Sequence, residues 1–305
     1  MEYLYIITGL VGLFLGGEAL VRGSVSIAQR MSISPLIIGL TVVGFGTSSP
    51  ELLVSLQAAL RGVPDIAVGI IIGSNIANIL LIVGLTSLIW PIRIAFATIR
   101  RDIAFMIVSA LVLVPLFAFG AIGRIAGLLL VAALCVYLVW TFLMSRQDTP
   151  EDETPTAQSP VIIPVLWVVF GFTALLFGAQ FLVDGAVYVA RDFGVSEAFI
   201  GLTIVAVGTS LPELATSLIA AFRRQSDIAI GNVIGSNIFN VLGILGVTSL
   251  IAPITVSARF LTFDLPVMIG VSCVLVGLLL LRPQIGRGAG VLMVLGYAVY
   301  VFAAQ

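Results

Sequence analysis

Residues 39–60 read GLTVVGFGTSSPELLVSLQAAL, and residues 201–222 read GLTIVAVGTSLPELATSLIAAF. The likeness continues without a gap: DIAVGIIIGSNIANILLIVGLTSLIWPI at 65–92 answers DIAIGNVIGSNIFNVLGILGVTSLIAPI at 227–254. At this fixed offset of 162, 34 of the 54 positions in 39–92 and 201–254 are identical. Composition bias does not produce such a match, because the identities include Thr, Ser, Pro, Glu, Asp and Asn. The chain contains an internal duplication, and the number of elements between its copies decides the architecture.

The surroundings of the repeat are those of a membrane protein. Of 305 residues 60% are hydrophobic and only 10% charged, with a mean hydropathy of +1.22. A soluble protein carries about 25% charged residues, so a water-surfaced globule is excluded. All 14 basic residues are Arg and His is absent, which removes imidazole dyads and imidazole metal sites. The scattered Arg residues point to no nucleic-acid partner. No secretory leader is expected, since no basic residue precedes Arg22 and the first apolar run carries Glu18. Cys135 and Cys273 each lie in an apolar run and are expected to pack as small hydrophobes within helices.

Charges punctuate the apolar runs and mark the loops. The spacing predicts an all-α polytopic membrane protein with ten helices near 3–27, 35–60, 66–89, 100–118, 124–144, 161–190, 197–221, 228–251, 262–281 and 288–304. Residues 145–160, SRQDTPEDETPTAQSP, read as an acidic aqueous linker between a first half at 1–144 and a second at 161–305. Placing ten of the 14 Arg residues, Arg93, Arg224 and Arg287 among them, on cytoplasmic ends, with Arg61, Arg124, Arg191 and Arg259 on the other side, puts both termini outside and the linker in the cytoplasm of a plasma-membrane protein. Equivalent positions of the duplication are separated by five helices, an odd number, so the second copy enters the bilayer from the opposite side. Two inverted five-helix repeats with broken helices at the midplane are the architecture of secondary transporters.

In each copy a polar cluster interrupts an apolar helix: Gly46-Thr47-Ser48-Ser49-Pro50-Glu51 and Gly208-Thr209-Ser210-Leu211-Pro212-Glu213. Proline removes an amide donor, the glycines are expected to relax the backbone, and a break there frees carbonyls such as those of Gly44 and Ala206. Thr47, Ser48 and Glu51, like Thr209, Ser210 and Glu213, fall within one helical turn and share a face. The next helices add Ser74 and Asn78, and Ser236 and Asn240, each pair four residues apart. An ionised carboxylate inside the bilayer costs about 2–3 kcal/mol or more. With no Lys in the chain and no Arg in these helix cores, bound cations are the natural compensation. The set is oxygen only, suited to calcium and alkali cations and poorly suited to zinc or copper. Two carboxylates balance one calcium ion or hold two or three sodium ions, and mutually exclusive occupancy is the simplest basis for exchange.

These duplicated GTSxPE and GSNIxN motifs resemble the alpha repeats of the cation/calcium exchanger superfamily, in its sodium/calcium exchanger branch. The resemblance covers nearly the whole chain and implies alternating access driven by a sodium gradient through four adjacent cation sites. It implies calcium and sodium as transported ions, with no other cofactor and no enzymatic activity; the bilayer is the expected surroundings, and a monomer is the expected working unit. Carried over by position, Glu51 and Glu213 would bind calcium directly, flanked by Thr47 and Thr209. Ser48, Ser210, Ser74, Ser236 and the carbonyls of Gly44 and Ala206 would complete the sodium sites, with Asn78 and Asn240 alongside. Some members, including potassium-dependent exchangers, carry Asp where Asn240 stands, so Asn240 favours potassium-independent exchange; on the duplicated oxygen site the exchange of sodium for calcium is expected to be electrogenic. The lack of a large regulatory region resembles a minimal prokaryotic exchanger.

Two rival readings stay open on chemistry. Buried carboxylates can take up protons, which allows a proton-coupled calcium antiporter, although proton-coupled relatives resemble a GNAxE pattern instead. A cation channel would use the same oxygens, yet broken helices in inverted repeats favour alternating access. Outside the motifs, Glu18 and Arg22 stand one turn apart on the first helix, with Gln180 and Asp184 as counterparts. Pairing at the interface is expected of them, with gating as the sharper alternative.

Overall fold

A computed structural model describes residues 2–145, 162–193, 206–282 and 284–304. The first half contains α1 (Glu2–Met31), α2 (Pro35–Thr47), α3 (Ser49–Leu60), α4 (Pro64–Ile89), α5 (Phe96–Ala118) and α6 (Arg124–Ser145). The second contains α7 (Ile162–Asp192), α8 (Ala206–Thr209), α9 (Leu211–Phe222), α10 (Ser226–Ile251), α11 (Phe260–Leu281) and α12 (Arg287–Ala303). Among the described residues seven helices are long and apolar enough to cross a membrane. The bent pair α2–α3 makes an eighth, and α9 and α12 are shorter apolar helices. The acidic linker and the start of the helix expected over 197–221 lie outside the described residues.

The centre is built from the helices that carry GSNIxN. Every residue in the most apolar stretch of α10 is buried, as is 72% of that in α4, against 28–39% in α1, α5, α6, α7 and α11. The duplicated segments therefore form the core, and the other helices turn apolar faces outward to lipid. Cys135 on α6 and Cys273 on α11 are free thiols on such outward faces, not packed inside as expected. In lipid an outward apolar position needs no further burial, so hydrophobicity alone does not tell inside from outside.

Four short strands were not legible in the sequence. β1 (Ile92–Arg93) pairs antiparallel with β4 (Gln284–Ile285), and β2 (Ala121–Ile122) with β3 (Ile254–Thr255). At helix ends these amides lack intrahelical partners, and the ladders satisfy them. Each ladder joins one half of the chain to the other. β1 and β2 flank the 23-residue α5, a separation of about 35 Å. Positions 92–93 and 254–255 are equivalent in the duplication, yet they sit in ladders at opposite ends of α5.

The long helices α1 and α7 pack on backbone contact. A Cβ at Gly9 would lie 2.5 Å from the Leu182 amide nitrogen, and one at Gly178 would lie 2.7 Å from that of Leu13. Such close approach supplies dispersion contact where the hydrophobic effect supplies none. The turn after α3 uses Gly62 at φ +76°, and its equivalent after α9 is Arg224 at φ +58°. Arg224 tolerates this left-handed backbone with its guanidinium 4.6 Å from the Trp90 ring centroid.

Candidate functional site

The polar clusters break their helices, one residue earlier than proline chemistry alone suggests. Between α2 and α3 the break falls at Ser48 (φ −83°, ψ 7°), with a bend of 42°. Between α8 and α9 it falls at Ser210 (φ −90°, ψ 7°). Pro50 and Pro212 stand in the first turn of the following helix, where an amide hydrogen is not needed. Proline thus starts the second helix more than it kinks the first.

Gly46 and Gly208 also act differently from expectation. Neither adopts positive φ. A Cβ on Gly46 would lie 2.0 Å from the Phe172 ring, and one on Gly208 2.4 Å from Val183. Their contribution is close packing of the broken helices against α7, not backbone freedom.

The carboxylates are fully buried: Glu51 and Glu213 are each 1% exposed. Their hydrogen bonds cross between the copies. Ser48 Oγ donates to Glu213 Oε1 at 2.9 Å, and Ser210 Oγ donates to Glu51 Oε1 at 3.2 Å. Ser74 Oγ lies 3.2 Å from Ser210 Oγ. Thr47 Oγ1 lies 3.0 Å from the Val43 carbonyl and 3.1 Å from Asn232 Oδ1. Ser236 Oγ donates to the Gly44 carbonyl at 3.2 Å and the Ser48 amide also reaches it at 3.3 Å, so the break does not free this carbonyl as expected, because its i+4 amide bond survives the bend at Ser48. In the second copy the Ser210 amide turns to Val207 at 3.1 Å, one residue short of the Ala206 carbonyl. Thr209 is half-buried at the end of α8.

The asparagines form a second crossed set. Asn78 Nδ2 donates to Asn237 Oδ1 at 2.9 Å, and Asn240 Nδ2 donates to Asn75 Oδ1 at 3.0 Å. Asn78 opens a π turn (Asn78–Val83) and Asn240 lies in another (Phe239–Leu245). Such widened turns interrupt α-helices at functional sites.

Four buried oxygens in this region accept no hydrogen bond: Glu51 Oε2, Glu213 Oε2, Asn78 Oδ1 and Asn240 Oδ1. Orphaned acceptors are costly in a dry interior. They come in equivalent pairs and carry two formal negative charges. An acceptor-rich, oxygen-only centre of this kind fits calcium and sodium as transported substrates. The soft thioethers nearby, Met106 and Met268, face the asparagine amides.

Sequence reasoning missed three asparagines. Asn75 and Asn237 fall inside the quoted motif, and the duplication could have marked them. Asn232 has no such signal, because its equivalent is Ile70. It is fully buried, donates to the Glu213 carbonyl at 3.3 Å and to Ser217 Oγ at 3.0 Å, and accepts from Thr47. Glu18 is paired as expected with Arg22, and also with Arg223 at the end of α9, a partner more than two hundred residues away.

The chain matches known proteins along its length. The profile of the family described as sodium/calcium exchanger protein matches residues 1–143 and 163–304. CaxA of Alkalimonas amylolytica is 41% identical over 291 residues, covering 93% of this chain and 90% of that one. The inner membrane protein YrbG of Escherichia coli K12 is 36% identical over 306 residues, covering 97% and 94%. The solved sodium-calcium exchanger NCX_Mj superposes with a TM-score of 0.87 at 33% identity, covering all of this chain and 98% of that one. With its buried, duplicated oxygen centre and its match along both halves, the chain is a membrane-embedded member of the sodium/calcium exchanger family, a transporter and not an enzyme.

Proposed function

We propose that the chain is an electrogenic, potassium-independent antiporter that exchanges sodium for calcium by alternating access. The observation that carries this reading is the equivalent quartet of orphaned oxygens on Glu51, Glu213, Asn78 and Asn240. Glu51 and Glu213 hold calcium, with Thr47 and Thr209 beside them. Ser48, Ser210, Ser74, Ser236 and the Gly44 and Ala206 carbonyls serve sodium. Each serine hydroxyl that spends its proton on a carboxylate keeps lone pairs for a cation. Two carboxylates cancel one calcium ion, whereas three sodium ions leave about one positive charge on the loaded site. Asn240 contributes an oxygen without a charge, which favours exchange that needs no potassium.

The architecture belonging to this reading is ten helices in two inverted five-helix units, 1–144 and 161–305, joined by a cytoplasmic linker at 145–160. Both termini lie outside the plasma membrane, and the working unit is a monomer. Ladders that put equivalent segments at opposite ends of α5 support the inversion. The test is calcium-45 uptake by proteoliposomes loaded with sodium, with potassium varied. Uptake is expected to follow the sodium gradient, to ignore potassium and to disappear in Glu51→Gln and Glu213→Gln. Uptake driven by a pH gradient without sodium would establish proton coupling instead, and unitary current steps in planar bilayers would establish a channel.

A further inference from the structure

Asn78 and Asn240 can serve a cation only if their amide oxygens, and not their NH2 groups, face it. The two ends of an amide are nearly equal in shape, so packing does not choose between them. A directional chain of hydrogen bonds does. Asn240 Nδ2 donates to Asn75 Oδ1 at 3.0 Å, and Asn75 Nδ2 donates to Met268 Sδ at 3.4 Å. Its counterpart runs from Asn78 Nδ2 to Asn237 Oδ1 at 2.9 Å, and from Asn237 Nδ2 to Met106 Sδ at 3.7 Å. Asn237 Nδ2 also reaches the Asn75 carbonyl at 3.5 Å, a backbone acceptor that backs the Met106 sulfur in holding this orientation.

Each chain ends on a thioether, which accepts and never donates. An NH2 group must therefore face the sulfur, which leaves the outer oxygen for the inner asparagine. The inner NH2 group is then committed to the outer oxygen, and its own oxygen is left turned away from the chain. Asn78 Oδ1 and Asn240 Oδ1 are the two oxygens left over. Met106 and Met268 are equivalent at the offset of 162, and both are 1–2% exposed. Each follows by one turn a buried aspartate that fixes its helix. Asp102 accepts from Tyr137 at 3.0 Å and pairs with Arg101, and Asp264 accepts from Tyr300 at 3.0 Å and pairs with Arg259.

We propose that Met106 and Met268 are positioning residues whose sulfur atoms set the orientation of the asparagine amides and aim the Asn78 and Asn240 oxygens at the transported cation. The inference rests on the cation-exchange reading above, so its experiment includes a binding measurement that needs no transport. Met106→Leu and Met268→Leu keep the bulk and remove the acceptor. Met106→Gln and Met268→Gln restore an acceptor oxygen but place a polar group in the core. Each Leu variant is expected to raise the KM for calcium about two- to tenfold with a largely unchanged maximal rate, the scale of one net hydrogen bond. The Gln variants are expected to stay near wild type. A merely structural role reverses that order, since leucine is the better packing substitute.

The same order is expected in the calcium-induced rise in melting temperature of the detergent-solubilised protein. That readout keeps the relay testable if the wild type shows no sodium-driven uptake, a result that would sink the exchange reading alone. If a Leu variant fails to fold, norleucine incorporated for methionine removes sulfur with the chain shape kept, and weakened calcium binding is again expected. Wild-type calcium affinity in the Leu or norleucine proteins, or Gln variants weaker than Leu variants, would overturn the relay.

Discussion

Ser48 and Ser210 each end a helix and each donate a hydroxyl to the carboxylate of the other copy. Crossing the bonds makes each copy incomplete alone, so the consequence belongs to pairs of residues. Ser48→Ala is expected to raise the KM for calcium about tenfold or more, because a hydrogen bond to a charged group is worth about 1.5–3 kcal/mol. A double-mutant cycle in the uptake assay locates the partner. Ser48→Ala is expected to couple more strongly with Glu213→Asp, the carboxylate it bonds, than with Glu51→Asp, which shares the site but not that bond. Coupling only to Glu51, within the same copy, would contradict the crossed arrangement. On the proposed reading, protons compete with cations for the same two carboxylates. Lowering the pH is therefore expected to raise the KM for calcium, and a KM flat from about pH 8 to about pH 5.5 would remove that competition.

Among the elements, the broken helices show what a sequence discloses. That α2–α3 is interrupted near Glu51 was legible, since Gly, Thr, Ser and Pro in an apolar run have no other comfortable explanation. Which residue bends was not, and neither was why glycine stands at 46, which depends on α7 passing alongside. Propensity describes a chain by itself, whereas Phe172 against Gly46 is a tertiary fact. The π turns at Asn78–Val83 and Phe239–Leu245 left no sequence mark either, as the same residue types fill the regular helical turns around them. Asn232 was hidden for a further reason, that the duplication puts Ile70 at its equivalent position. The packing role of Gly46 is open to direct test. Gly46→Ala is expected to destabilise the protein by about 1–3 kcal/mol through overpacking, read as a lowered melting temperature. Phe172→Leu in the same chain is expected to recover most of the loss. If glycine served backbone freedom instead, shortening Phe172 would recover nothing.

For the whole molecule, contacts at the helix ends sort the loops into two groups. One group joins β1 to β4, the Arg93 amide to Ser226 Oγ at 3.5 Å, Arg224 to Trp90, and Arg287 to the Leu88 carbonyl at 3.0 Å. The other joins β2 to β3, Ser257 to Asp65 at 2.6 Å, and Arg259 to the Ala304 carbonyl. The two groups share no member, and α5 runs from one to the other. Counting Arg residues along the chain divided the loops in the same way, placing Arg93, Arg224 and Arg287 on one side and Arg259 on the other. The charge count is read from the sequence and the strand pairing from the fold, and for these Arg residues the two divisions coincide. Which group faces the cytoplasm then becomes a single binary measurement. In a chain with Cys135→Ser and Cys273→Ser, a lone cysteine is placed in either ladder at an exposed position, Ala121→Cys in β2 or Gln284→Cys in β4. A membrane-impermeant maleimide is expected to label Ala121→Cys in intact cells and Gln284→Cys only after permeabilisation. The opposite result would turn the molecule over and leave its fold untouched. Equal labelling of both from one side would place equivalent loops on the same face, and with that the inversion on which alternating access depends would fall.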